Sequence, residues 1–152
     1  MNIYRNNSCK TYYDLSSILN VNYNTLKGWM AHSKKPRLKT LDAIADNLHI
    51  QTSELLNPDF DIAISPRAHN NDSAANFRRN LQLVFIQNNC TSWKLRETIL
   101  YGFISIDSLK AFFRNNHPNS PSLLQLEHIA SALGVKSYEL ISEEFTYEKR
   151  NK

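Results

Sequence analysis

Between Leu15 and Leu41 the chain carries Lys27, Lys34, Lys35, Arg37 and Lys39, and no Asp or Glu. Within that run stands Asn22-Tyr23-Asn24, whose amides and phenol both donate and accept hydrogen bonds. Cations in an acid-free stretch suit neutralisation of a polyanion, because a carboxylate among them would be repelled by the same partner. Amides beside them suit base reading: Asn can pair in bidentate fashion with adenine, and Lys can reach guanine or a phosphate. The charges alone fit an ordinary solvated loop equally well. The elements that carry them decide between the two.

Those elements read as short helices. Leu26 and Trp29 share one helical face, which turns Asn22, Tyr23, Asn24, Lys27 and Gly28 outward, with Gly28 allowing close backbone approach. Upstream, Thr11–Leu19 places Leu15, Ile18 and Leu19 at helical spacing, and Thr11 with Asp14 resembles a capping pair. Asn20-Val21-Asn22 is the turn between these two helices. Beyond Pro36, the residues Leu38, Leu41, Ile44, Ala45 and Leu48 form an apolar stripe, and a last turn, "TSELL", follows. Two short helices joined by about three residues with an apolar turn position are a helix-turn-helix pattern.

The pattern is written twice. Residues 36–60, "PRLKTLDAIADNLHIQTSELLNPDF", align without a gap on residues 121–145, "PSLLQLEHIASALGVKSYELISEEF". Nine of 25 positions are identical, and most are apolar, which is what two copies of one packed unit would keep. Upstream, Thr25-Leu26 pairs with Ser108-Leu109, and Trp29 with Phe112. Cys9 and Cys90 also fall at comparable places and read as small core residues.

The series "DLSSILNVNYNTLKGWM…P…L..IA..L.I…EL" resembles the lambda-repressor-like (Xre/Cro-type) helix-turn-helix family. The family's turn and core places are here Leu15-Ser16, Leu19, Val21-Asn22, Leu26, Trp29, Pro36, Leu41, Ile44-Ala45, Leu48 and Leu55. The second copy continues with Ile104-Ser105, Leu109, Phe112, Pro121, Leu126, Ile129-Ala130, Leu133-Gly134-Val135 and Leu140. The resemblance implies an all-α chain of two tandem domains: residues 1–60, a linker over 61–72, and residues 73–152 with a short tail. Residues 73–88 supply the second domain's first helix, with Phe77, Leu81, Val84 and Phe85 on one face. Only ten residues precede Thr11, so the first domain lacks most of its first helix. The apolar surface left open there needs a cover: a dimer partner by preference, otherwise the second domain or the C-terminal "EEFTYEK".

The resemblance further implies a sequence-specific regulator of transcription that binds double-stranded DNA. A repressor occluding a promoter is the family's usual form. Asn22, Tyr23, Asn24, Lys27 and Gly28 would face the major groove, Tyr12 would touch backbone or base, and Lys34, Lys35, Arg37 and Lys39 would hold phosphates. The corresponding second surface is Ser105, Ile106, Asp107, Lys110, Phe113 and Arg114. It is poorer in cations and suits a second half-site, a homodimer contact or a protein partner. A protein-binding module with the same fold, an antitoxin or a phage-type counter-defence factor, is the competing reading.

Other classes find little support. The mild net charge of +4 matters less than its clustering. No apolar run approaches the roughly 20 residues of a membrane span. Two cysteines without CxxC spacing suggest a reduced, cytoplasmic protein. The histidines (His32, His49, His69, His117 and His128) show no metal-ligand spacing, and no phosphate-binding glycine loop or nucleophile motif occurs. Neither an enzyme, a cofactor nor a metal is expected.

Overall fold

The computed structural model describes residues 11–60, 71–116 and 118–148. They form nine helices: α1 (Tyr12–Ile18), α2 (Tyr23–Met30), α3 (Leu38–Leu48), α4 (Thr52–Leu56), α5 (Ser73–Gln87), α6 (Trp93–Ile99), α7 (Ile106–Phe112), α8 (Leu123–Leu133) and α9 (Ser137–Leu140). No strand occurs among the described residues, so this part of the chain is all-α. The expected shortage of a first helix falls on residues 1–10, and Cys9 with them, outside the described residues. His69 and His117 lie outside them too.

Local chemistry starts most of the helices. The Thr11 backbone N–H donates to Asp14 Oδ2 at 2.9 Å while the Asp14 N–H donates back to Thr11 Oγ1 at 3.2 Å, a reciprocal cap. Asn22, Asp72, Ser92, Ser105 and Ser122 cap α2, α5, α6, α7 and α8 through their side-chain oxygens. The stripe helices α3 and α8 both end in a left-handed residue, His49 and Gly134, at φ 57° and 69°. Gly134 takes that conformation without strain, whereas His49 carries a modest cost.

Helices α6 to α9 repeat the order of α1 to α4, and α3 and α8 are both 11 residues long. The turns differ. Leu19 to Val21 separate α1 from the α2 cap, with Asn20 at positive φ, whereas Leu100 to Ile104 separate α6 from the α7 cap, with both Tyr101 and Gly102 at positive φ. Of the expected α1 stripe, Leu15 and Leu19 are buried but Ile18 is partly exposed, because it stands at the helix end where the chain leaves the core. On α5, Phe77, Leu81, Val84 and Phe85 are all buried, and Phe77 meets Phe112 edge-on at 5.4 Å. Cys90 lies in the same core.

The two halves meet through matching elements. An antiparallel backbone bridge pairs Arg37 with Ser122, residues at the same position in the two aligned stretches. Helix α4 packs on α9, its counterpart. One recess is lined by Ser53 and Tyr138, Glu54 and Glu139, and Asn57 and Ser142, each pair again matched. The apolar cluster of the second half takes in Leu38, Leu41, Leu55 and Leu56 along with their matches Leu123, Leu126, Leu140 and Ile141. Like thus meets like across this junction, as it does where two equal subunits meet. It also gives α3 and α4 a cover drawn from the chain itself.

A buried polar hub fixes the junction. Asp42, on α3, accepts from the Thr52 hydroxyl at 2.7 Å, from the Ser73 N–H at 3.2 Å and from the Ser73 hydroxyl. Asn71 donates to Asp46 Oδ1 at 2.7 Å and to the Ile50 carbonyl at 2.9 Å, and accepts from the Thr52 N–H at 2.9 Å. The end of the connecting segment is therefore tied to α3 and α4. On the far side of α5, buried Asn80 donates to the carbonyls of Leu140 at 3.0 Å and Ser142 at 2.8 Å. Replacing Asp42 with Ala strands two hydroxyls and a backbone N–H in a buried place. We expect a loss of about 2–3 kcal/mol in urea unfolding, against less than about 1 kcal/mol for Asp14→Ala at the exposed cap.

Candidate nucleic-acid interface

Leu26 and Trp29 anchor α2 against Leu15, Leu19 and Ile44. That anchoring fixes the opposite side of the helix toward solvent. Asn24 and Lys27 are exposed, and neither side chain has a hydrogen-bond or ion-pair partner among the described residues. Asn22 is exposed as well, but its Oδ1 accepts from the Asn24 N–H at 2.9 Å, so it serves first as the helix cap. Tyr23 is half-buried because it stacks on Tyr13 of α1, with ring centroids 4.2 Å apart and planes 7° from parallel. Tyr12 is half-buried on α1.

Gly28 faces its own loop. Its carbonyl accepts from the backbone N–H of Ser33 at 3.0 Å and of Lys34 at 3.2 Å, and from the Ser33 hydroxyl at 3.0 Å. A methyl group there would meet Ser33 Oγ at 3.5 Å and Lys34 Cδ at 3.6 Å, ordinary contact distances. The matching residue of α7 is Ala111, which is buried.

Lys34, Lys35, Arg37 and Lys39 are all exposed. Lys35 differs from the others: its Nζ lies 3.6 Å from Glu127 Oε2 on α8, the carboxylate that the second half brings to this shoulder. Both side chains are about half exposed, so the pair is worth at most about 1 kcal/mol and weakens with salt.

The second surface is built differently. Asp107, Lys110 and Arg114 are exposed, Ile106 is half-buried, and Ser105 caps α7 through its hydroxyl. Phe113 packs inward against Phe85 and Trp93, with centroids at 6.2 and 6.0 Å. Three other cations of this half are occupied. Arg79 donates to the carbonyls of Ser142 and Glu143, and Lys94 pairs with Glu97. Arg96 donates to the Cys90 carbonyl and lies over the Phe85 and Trp93 rings. Their engagement was invisible in the sequence because each partner comes from tertiary packing or from a short-range choice among several.

Residues 3–61 match the family model of the Cro/C1-type HTH DNA-binding domain. The match thus covers α1 to α4 and bears on the first half of the chain. No curated protein and no solved structure matches the chain. Helix α2 is the second of the four described helices in the matched stretch, and its outward side carries the exposed Asn24 and Lys27.

Sequence reasoning missed two residues at this surface. Tyr13 is 65% exposed and braces Tyr23, yet it lies ten positions earlier on another helix. Glu127 comes from the other half of the chain. Among the described residues no group of three His, Cys, Asp or Glu side chains could hold a metal ion, and no helix is long and apolar enough to cross a membrane. Gly28→Ala removes a flexible helix position without a clash, so we expect a gain of about 0.5–1 kcal/mol in thermal or urea unfolding.

Proposed function

We propose that the chain is a sequence-specific DNA-binding regulator that reads the major groove with α2, as a repressor occluding a promoter. The observation that carries this reading is the outward side of α2, where Asn24 and Lys27 stand exposed, with no side-chain partner among the described residues, inside the stretch that matches a DNA-binding domain. Asn24 supplies a donor and an acceptor for adenine, and Lys27 a cation for guanine or phosphate. Tyr23, held by its stack on Tyr13, and Tyr12 line the approach. Lys34, Arg37 and Lys39 neutralise phosphates and set the register, while Asn22 and Gly28 hold the shape of the helix and loop. The second half takes a second half-site or makes a dimer contact.

A protein partner is the second reading, and one observation favours it. Phe103 at 56% exposure, beside His128, and Leu124 at 45% leave apolar surface on the second half. Alanine at Phe103 and Leu124 would abolish function under that reading and leave DNA binding intact under the first.

Selection from random duplex DNA tests the proposal, with the wild type beside the Asn24→Ala/Lys27→Ala double variant. A defined motif that the variant loses, with affinity down tenfold or more, is the expected result. No enrichment even at low salt, where phosphate contacts are strongest, overturns it. Glu127→Gln gives an independent check. It releases Lys35 and removes an acid from the shoulder, so affinity should rise several-fold at low salt. The slope of log affinity against log salt should steepen by about 0.9.

A further inference from the structure

We propose that one chain, rather than a pair of chains, is the complete DNA-binding unit, and that its operator is non-palindromic, with α2 on one half-site and α7 on an unlike one. This rests on the DNA-binding reading above and adds to it the stoichiometry and the symmetry of the site.

Symmetric regulators present two equal recognition helices to a palindrome through a self-complementary contact between identical subunits. Here that kind of contact is made inside the chain. Arg37 bridges Ser122, α4 packs on α9, and the leucines of the seam lie in one cluster with their own counterparts. A self-complementary surface that has found its match is not offered to a second copy. In the order of helices α7 follows α6 as α2 follows α1, and its buried Leu109 and Phe112 match Leu26 and Trp29.

The two helices share a plan and differ in what they read. Asn22 and Ser105 both cap, and Lys27 and Lys110 stand exposed at the same turn. Asn24 is replaced by Asp107, also exposed. An amide offers a donor and an acceptor and suits adenine; a carboxylate only accepts and suits the cytosine amino group. Equal half-sites would be read badly by so unequal a pair. The flanking charges differ too. Lys34, Arg37 and Lys39 follow α2, whereas Arg114 stands alone beyond Lys110 among the described residues up to Ser122. The half-site under α2 therefore holds most of the phosphate contacts, and the other half-site adds discrimination.

Sedimentation and native mass measurement on the selected duplex count the chains, while selection repeated with Asp107→Ala and Asp107→Asn reads the second helix. The expected result is one chain per duplex on a motif with no dyad. Asp107→Ala should flatten the preference at one position by about tenfold and only in the half-site away from Asn24. Asp107→Asn, which keeps the shape of the side chain, should move that position toward adenine. Two chains on a palindrome would overturn the inference and leave the DNA-binding reading standing. An unaltered motif with both Asp107 variants would also overturn it, since α2 would then read alone. Failure of the wild type to bind any duplex at low salt would remove both.

Discussion

The leucine seam between the two halves is the contact on which the rest of the molecule depends. Leu38 and Leu41 lie on α3, whose Ile44 belongs to the core beneath α2. Helix α3 thus faces two ways: one side supports the helix-turn-helix, the other is buried by the second half. Burying a leucine contributes roughly 1.5–3 kcal/mol. Several such residues outweigh the exposed Lys35–Glu127 pair, whose worth is at most about 1 kcal/mol. Apolar burial therefore joins the halves, and the ion pair adjusts the charge beside the interface.

Polar groups make that apolar seam specific. Leucine surfaces slide; buried hydrogen bonds do not tolerate sliding, because each displaced donor loses its partner away from water. Asp42 binds α3 to the start of both α4 and α5, and Asn71 holds the chain entering α5 against Asp46 and Ile50. Asn80 and Arg79 then hold the carbonyls at the end of α9. These contacts lock α5 between the two halves. Asp42 and Glu127 occupy matching positions in the repeat, yet one is a buried hub and the other a surface acid beside Lys35. The matched positions keep most of their apolar residues, whereas at this polar pair the roles have diverged.

The same division runs through the candidate site. Leu26 and Leu109, and Trp29 and Phe112, are buried alike and seat α2 and α7 in the same manner. What the helices present to solvent has diverged, with Asn24 against Asp107. Core positions answer to packing volume and change little. Outward positions are free of that constraint.

Helical periodicity and the Thr11–Asp14 cap were legible in the chain, because spacing of apolar residues and short-range hydrogen bonds are local properties. The stripe on α3, the Thr11–Asp14 cap and the buried face of α5 all follow from neighbours within one or two turns. So did the outward placing of Asn24 and Lys27, once Leu26 and Trp29 were assigned inward. Only the tertiary structure decided the remainder. It set Phe113 against Phe85 and Trp93, occupied Arg79 and Arg96, stacked Tyr13 on Tyr23 and brought Glu127 to Lys35. It also turned a repeat in the sequence into two halves facing each other. Periodicity states which side of a helix is apolar; it does not state which other apolar side will cover it, since that depends on how separate elements share one core.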